Sequence, residues 1–249
     1  MRIAVAFKAV PDDQDIQVAG DRTLDYSKAK ETVSTYDLNA IELAAQLAGA
    51  DGEAVGVTVG PKAIDDSKLK KNVLARGLSH LYMAADDALA GLDSRATALA
   101  LKEALAAAGD VDLVLCGDGS ADDYAQQVDV QLAEALGWPV VTAAAKVEAD
   151  GGKLTVVRAL EDCSETVEVE LPAVVSVTPD AAEPRIPGMK DILAAGKKPQ
   201  DAVAAAAPAN TVAVAECLAP EQAARKLEIV DASEDGAVEK VAAAVKAAL

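Results

Sequence analysis

The chain has 249 residues and a formal net charge of −18 at pH 7. That length suits one large α/β domain or one domain with appendages. The negative charge argues against nucleic acid or an anionic membrane surface as a partner, because either would need clustered Lys and Arg. No apolar run approaches the roughly 20 residues of a membrane-spanning helix, and the apolar N-terminal segment is too short for a signal peptide. We therefore expect a cytoplasmic protein with no nucleic-acid partner and no membrane insertion.

The few cysteine, histidine and aromatic residues limit which cofactors the chain could bind on its own. The cysteines, Cys116, Cys163 and Cys217, form no C-x-x-C pair, and His80 is the one histidine. These are too few soft ligands for a zinc site, so we predict no metal centre and a reducing compartment. Aromatic residues make up 2% of the chain. A flavin buried wholly within it would therefore find few rings to stack against.

The first half of the chain alternates strands and helices. Residues 2–10 are a continuous apolar, partly β-branched run, which is typical of a central strand covered on both faces. A polar hairpin around Gly20 and Asp21 follows, then a helix over 36–48 with an apolar face. The remaining predicted elements are a strand over 53–60, a helix from Pro61 to Gly77, a strand over 80–85, a helix over 94–108, a strand over 111–117 and a helix over 123–136. This repeated β-α order predicts an α/β fold with a doubly wound, mainly parallel, Rossmann-like sheet.

The pattern changes after Pro139. Residues 140–160 and 164–178 alternate apolar and polar positions around a Gly151–Gly152 turn, which favours an antiparallel addition to the sheet. A mostly irregular arm follows Pro184, then an Ala/Pro-rich linker and a short terminal helix capped by Ser233. We expect a nucleotide-binding domain over 1–183, an arm over 184–200 and a linker with a C-terminal arm over 201–249. The two arms have little core of their own, so a partner surface is their natural place.

The fourth predicted strand leads into a polar loop. It ends at Gly117 and continues through Gly119 and Ser120, which places free backbone N–H groups at the carboxyl edge of the sheet, where open α/β folds bind nucleotides. The aspartates of this loop can cap helix N–H groups or accept a bond from a ribose hydroxyl or an adenine amine. A plain strand-to-helix turn and a carboxylate metal site are the alternatives. The loop matches neither G-x-G-x-x-G nor a Walker motif.

Two other loops are expected at the same edge. One enters the first helix with Ser34 or Thr35 as a cap, Tyr36 as a rare aromatic and Asp37 in the first turn. The other carries Val59 and Gly60 out of the second strand. Three such loops predict one shared crevice, with simple packing at the helix start as the alternative role for Tyr36.

Several segments together resemble a known family. They are KAVPDDQDIQV, LDYSKA, YDLNAIELAAQL, LVLCGDGSADDYAQQV, LPAVVSVTPD and IPGMKDILAAGKKP, in this order over about the first 200 residues. They resemble the beta subunit of electron transfer flavoprotein, and most of all its FixA-type branch, whose enteric members are associated with carnitine reduction.

This resemblance implies a subunit of an electron carrier. In the family, the beta subunit pairs with an alpha subunit that holds the redox FAD. The beta subunit itself holds AMP or, in electron-bifurcating members, a second FAD. The heterodimer passes electrons from flavoprotein dehydrogenases of the acyl-CoA dehydrogenase type to an acceptor. Such a chain needs no catalytic residues of its own, because the cofactor carries the chemistry.

The resemblance also implies two sets of functional residues. Together with the loops described above, it assigns nucleotide binding to Ala6, Ser34, Thr35, Tyr36, Asp37, Val59, Gly60, Gly117, Asp118, Gly119, Ser120, Ala121, Asp122, Asp123, Tyr124, Ala125, Gln126, Gln127 and Val128. The arm over 184–200 corresponds to the family's recognition loop, in which an apolar side chain anchors the dehydrogenase. That anchor is Met189, followed by Ile192 and Leu193 in a short apolar helix; the alternative is that Met189 packs into its own core.

Three departures from the wider family concern the nucleotide. Ser34-Thr35 replaces an Asn-Pro pair, Asp118 replaces a Lys or Arg, and Ala125 replaces a Thr. A charge and a hydroxyl that would face phosphate are thus absent. We expect AMP, with a second FAD as the alternative. A stand-alone ATP-binding protein of the universal-stress type would share the fold and the crevice but has no need of the arm after Pro184.

Overall fold

A computed structural model describes residues 1–222 and 227–248 of the chain. Its strands are β1 (Arg2–Ala6), β2 (Ala9–Pro11), β3 (Gln17–Val18), β4 (Leu24–Asp25), β5 (Glu31–Val33), β6 (Glu53–Gly60), β7 (His80–Ala85), β8 (Leu113–Gly117), β9 (Val140–Asp150), β10 (Lys153–Ala159), β11 (Ser164–Glu170), β12 (Ala173–Val177) and β13 (Gln200–Ala202). Its α-helices are α1 (Thr35–Ala48), α2 (Ser67–Ala75), α3 (Ser94–Ala106), α4 (Val128–Leu136), α5 (Met189–Ala195) and α6 (Ala237–Ala248). None of the described helices is long and apolar enough to cross a bilayer.

Nine strands form one mixed, mostly parallel sheet in the order β11-β10-β9-β12-β8-β1-β6-β7-β13. β1 lies in its interior and pairs parallel with β6 and β8, so that Ile3 lies opposite Ala54 on one side and Leu113 on the other. The predicted hairpin around Gly20 is also present, as a separate two-stranded sheet of β3 and β4.

The sheet is covered on both faces, as the continuous apolar sequence of β1 requires. Ile3 and Val5 belong to a core cluster that includes apolar residues of α1 and α2. Ala4 and Ala6 belong to a second cluster that includes residues of α3 and α4. Because successive strand residues point to opposite faces, the two clusters lie on opposite sides of the sheet. The α/β, doubly wound fold predicted from the sequence is therefore confirmed.

The antiparallel addition is confirmed for β9, β10 and β11: β10 pairs antiparallel with β9 around the Gly151–Gly152 turn and with β11 around the turn at 160–163. The prediction is wrong for residues 173–177. These form β12, which returns to the parallel sheet between β8 and β9. All five residues of β12 are buried, so the strand is covered on both faces and does not show the one-sided pattern assigned to it.

Three helix boundaries differ from the sequence prediction. The helix expected from Pro61 is a short 3-10 turn followed by α2, which Asp66 caps by accepting bonds from the amides of Lys68 and Leu69. The helix expected from about residue 123 begins at Val128 and leaves 118–127, the β8–α4 loop, outside it. The terminal helix begins at Ala237, and Ser233 donates its own amide to Asp231 in an earlier turn, so it does not cap this helix.

The arm after Pro184 is more regular than expected. α5 packs on α2, and its Ala195 is fully buried. β13 extends the sheet by pairing parallel with β7. The Lys198 Nζ donates hydrogen bonds of 2.7 Å to the carbonyl oxygens of both Leu74 and Leu78. These contacts attach the arm to the α/β unit.

The chain divides into two compact units, each with most of its contacts internal. The first unit comprises Met1–Gln17 and Asp25–Glu216 and contains the nine-stranded sheet. The second comprises Val18–Leu24 and Cys217–Leu249. Within the described part of the second unit, the Ala219 amide donates to the Arg22 carbonyl, and α6 exposes the side chains of Val238, Val241 and Val245.

Candidate nucleotide-binding site

The carboxyl ends of β1 and β8 are joined by the buried side chain of Asp37, in the first turn of α1. Its Oδ2 accepts a hydrogen bond from the Lys8 amide at 2.7 Å, and its Oδ1 accepts one from the Gly117 amide at 2.8 Å. Burial raises the pKa of Asp37 from 3.8 to about 7, although the two amides and the charge of Lys8 act in the opposite direction. Both carboxylate oxygens thus bond to the protein's own backbone and fix the geometry of this edge.

Gly117 is required by the close approach of α1. A Cβ on Gly117 would lie 2.7 Å from the Tyr36 Cβ and 2.8 Å from the Tyr36 carbonyl carbon. Any larger residue would therefore push the helix start away from the strand end. The hydrogen bond between the Gly117 amide and Asp37 depends on this close contact.

The β8–α4 loop is attached to the start of α1 by Ser34. This buried residue occupies the N-cap position of α1, but its side chain makes no cap bond. Its Oγ instead accepts a hydrogen bond from the Ala121 amide at 3.2 Å. The loop and the helix start therefore share one serine hydroxyl.

Lys8 is a site residue that sequence reasoning missed. Its Nζ contacts Asp122 at 2.7 Å and Asp123 at 2.8 Å. Burial lowers the pKa of Lys8, but its hydrogen bonds to Asp122 and Asp123 outweigh burial and leave the pKa raised. The available signal was a basic residue that interrupts the apolar run of 2–10, because β1 ends at Ala6 and leaves Lys8 at the edge of the sheet.

Two tyrosines meet over the loop. The rings of Tyr36 and Tyr124 lie 5.1 Å apart at an angle of 46°, and the Tyr124 hydroxyl donates to the Asp118 Oδ2 at 3.2 Å. A Cβ on Gly119 would lie 2.5 Å from the Tyr124 Cε2, and the φ of Gly119 is outside the left-handed region. Gly119 is therefore needed to admit a ring rather than to permit an unusual backbone angle.

The end of the loop presents unpaired backbone donors. Tyr124 and Gln126 have positive φ angles of 46° and 54°. Within residues 1–222 and 227–248, the amides of Ala125, Gln126 and Gln127 have no acceptor. Gln127 occupies the N-cap position of the nine-residue helix α4 without a side-chain cap bond. A row of free amides at a helix N-terminus suits an anion such as phosphate.

The other expected site residues lie at the same edge of the sheet. Ala6 is buried at the end of β1, and Val59 and Gly60 end the neighbouring strand β6. Thr35 is the first residue of α1. Among the described residues, hydrogen bonds join Lys8, Ser34 and Asp37 to the β8 end and its loop, whereas Val59 and Gly60 make none with that loop.

The arm exposes a group of large apolar side chains, which we call the arm patch: Ile186, Met189, Ile192 and Leu193. Met189 has 73% of its surface exposed and Leu193 68%. The alternative that Met189 packs into its own core is therefore wrong. At the base of the arm, Arg185 forms an ion pair with the buried Glu42, in which the Arg185 Nη2 donates to Oε1 at 3.0 Å.

The fold defines the class of the protein: a doubly wound α/β protein whose polar loops are joined by hydrogen bonds at the carboxyl ends of β1 and β8. Residues 22–208 match the electron transfer flavoprotein domain, and the chain belongs to that family. Its members are electron carriers that bind flavin or AMP, and they form heterodimers that partner with dehydrogenases. The predicted membership in an electron transfer flavoprotein family is confirmed at this level.

Proposed function

We propose that this chain is the beta subunit of a heterodimeric electron transfer flavoprotein of the FixA-type branch, working in the cytoplasm between flavoprotein dehydrogenases and an acceptor. The observation that carries the proposal is the crevice edge, where Asp37 fixes β8 beside β1 and the following loop leaves three amides unpaired. These amides are exposed and lie directly before α4, so an anion can replace water as their acceptor.

AMP is the nucleotide that we assign to this crevice. Its phosphate fits the free amides of Ala125, Gln126 and Gln127, whose row points to an anion without any basic side chain. Lys8 does not serve as the phosphate's counter-charge, because Asp122 and Asp123 already pair with it. Tyr36 and Tyr124 supply rings near the loop for a single base.

The redox flavin is assigned to the alpha subunit. When bound there, FAD supplies the one- and two-electron chemistry of the carrier. The residues of this chain contribute binding and orientation: the crevice holds the structural nucleotide, and the arm patch presents Met189 to the dehydrogenase. The ion pair of Arg185 with Glu42 attaches the base of the arm to α1.

Co-expression with an electron transfer flavoprotein alpha chain tests the subunit assignment. We expect the two chains to co-purify as a yellow heterodimer that an acyl-CoA dehydrogenase with its substrate can reduce. The chain expressed alone should be colourless or aggregated, because it has few aromatic rings to hold a flavin and an exposed arm patch. Failure of the chains to associate, or a redox-active flavin bound by this chain alone, would contradict the proposal.

A further inference from the structure

Residues 183–188 lead from the α/β unit into the arm patch without regular secondary structure. They run from the short turn at Pro179–Ala181 to the start of α5, and each of them is exposed or half-buried. Within the described part of the chain, every hydrogen bond of residues 183–187 involves Arg185. The direction in which this segment leaves the α/β unit therefore depends on how Arg185 is held.

Glu42, in the middle of α1, holds Arg185 with both of its carboxylate oxygens. The Arg185 Nε donates to Oε2 at 2.5 Å, and the Arg185 Nη2 donates to Oε1 at 3.0 Å. The Arg185 amide also donates to Oε2, at 3.3 Å. Only 8% of the Glu42 side chain is exposed, against 44% of the Arg185 side chain. A planar guanidinium bound at two points is fixed in orientation as well as in position.

The residues around Arg185 fit this ion pair closely. The Arg76 Nη1 donates to the Arg185 carbonyl oxygen, so a second guanidinium holds the backbone of the same residue. A Cβ on Gly77, whose φ is 113°, would lie 3.3 Å from the Arg185 Nη1 and 2.8 Å from the Ala45 Cβ. The hydrogen bonds from Arg185 lower the pKa of Glu42, although burial acts in the opposite direction. Glu42 is therefore charged at neutral pH.

α1 also holds the chain just before Arg185. The buried Asn39 donates from its side-chain amide to the Pro179 carbonyl at 2.9 Å and to the Ala182 carbonyl at 2.8 Å. Asn39 and Glu42 both lie on α1, which packs on the sheet. One rigid helix therefore fixes the base of the arm at two successive points, and the contact with Glu42 is the one nearer to the arm patch.

We propose that Glu42 is a positioning residue for docking: by fixing Arg185, it sets the direction in which the arm patch is presented to the dehydrogenase. This inference rests on the docking role proposed for Met189. Met189 follows Arg185 by four positions, and Pro184 and Pro187 restrict the backbone between the two. The orientation of Arg185 is therefore passed on to the anchor. An arm already held in its binding direction costs less to order when the dehydrogenase binds.

Glu42→Gln in the heterodimer tests this role. The variant keeps the size of the side chain but loses its charge, so it should hold Arg185 less firmly. Hydrogen exchange, followed by mass spectrometry, should become faster in residues 183–188 and stay the same in β1. The apparent KM for the flavoprotein dehydrogenase should rise by about three- to tenfold, because a released arm must be ordered again on binding. The kcat and the flavin content should stay unchanged.

Gln46→Ala is the matched control. The Gln46 Nε2 donates to the Glu42 Oε1 at 2.9 Å, so the control removes a partner of the same carboxylate without touching the arm. It should change neither the exchange nor the KM. Arg185→Lys is the second variant, because it keeps a positive charge beside Glu42 but lacks the planar fork. It should raise the KM as Glu42→Gln does, and it replaces that variant if Glu42→Gln gives no folded heterodimer.

Combination with Met189→Ala separates positioning from a general loss of stability. If Glu42 acts through the arm, its substitution should raise the KM by less than about twofold once the Met189 side chain is absent. The inference is overturned by effects that simply multiply, by an unchanged KM or unchanged exchange in the folded variant, or by loss of folding in both Glu42→Gln and Arg185→Lys. An unchanged KM in Met189→Ala alone would contradict the docking function itself, and this inference with it.

Discussion

At the scale of single residues, the site depends on side chains that join segments far apart in the sequence. Asp37 bonds to Lys8 and Gly117, Ser34 to Ala121, and Lys8 to Asp122 and Asp123. The chemistry of Asp37 was predictable, because a carboxylate in the first turn of a helix is a common feature. Its two amide donors were not, because they come from strands whose adjacency is a property of the sheet.

The raised pKa of Asp37 gives a prediction about pH. Because its pKa is about 7 in the folded protein and 3.8 ordinarily, the folded state binds this proton more tightly than the unfolded state. The stabilisation that this proton provides is therefore complete below about pH 4 and is lost as the pH rises through about 7, with a slope of up to about 1.4 kcal/mol per pH unit.

Urea unfolding between pH 4 and 8 checks this slope. Asp37→Asn should remove the contribution, so the free energy of unfolding should depend less on pH in this variant than in the unsubstituted chain. Asp162→Asn, in an exposed turn, should leave the slope unchanged. Equal slopes in the unsubstituted chain and Asp37→Asn would show that Asp37 titrates normally.

Gly117 gives a prediction about packing. Gly117→Ala places a methyl group 2.7 Å from the Tyr36 Cβ, so α1 must move away and weaken the bond between Asp37 and the strand end. We expect a loss of about 1–3 kcal/mol in the free energy of unfolding, measured by urea denaturation. Gly20→Ala is the matched control, since a Cβ there meets no atom within 4 Å; a loss as large in the control would refute the contact argument.

At the scale of elements, long apolar runs were predicted well and irregular segments poorly. The helix at 36–48 follows from its apolar pattern and is present as α1. The strand predicted over 2–10 is present only to Ala6, and residues 9–11 form β2, which pairs with β5 in a separate sheet. The helix expected from residue 123 starts later because Tyr124 and Gln126 adopt positive φ angles in a loop where Tyr124 contacts Asp118 and Tyr36. Local sequence does not encode these tertiary contacts. β12 was misassigned because the alternation of 164–170 was extended past Pro172, although residues 173–177 are a short, nearly continuous apolar run, as in a strand covered on both faces.

The arm patch gives a prediction at this scale. Met189→Ala removes a side chain that is 73% exposed, so the melting temperature and the flavin content of the heterodimer should stay unchanged. If Met189 is the docking anchor, the apparent KM for the flavoprotein dehydrogenase should rise by about tenfold or more, the effect of losing one central apolar contact. A flexible thioether suits an anchor that fits more than one pocket.

The control for this prediction is Val18→Ala, which also truncates an exposed apolar side chain, in the β3–β4 hairpin. It should change neither the melting temperature nor the apparent KM. An unchanged KM in Met189→Ala would show that this side chain does not anchor the dehydrogenase.

At the scale of the whole molecule, the shortage of aromatic residues fits the proposal that a partner subunit holds the redox flavin. The β-α alternation was enough to predict the sheet that places the crevice. The proposed nucleotide site was not predictable from residue types alone, because the unpaired groups that support it are the backbone amides of Ala125, Gln126 and Gln127. Backbone donors leave no signature in composition.

The nucleotide content of the purified heterodimer tests the central claim most directly. The complex is denatured, and the released nucleotides are separated by chromatography and quantified against protein. We predict one AMP and one FAD per heterodimer, and loss of the AMP, with FAD retained in the surviving complex, when the crevice is disturbed by Gly117→Ala. Two FAD without AMP, or no nucleotide beyond a single FAD, would contradict the account.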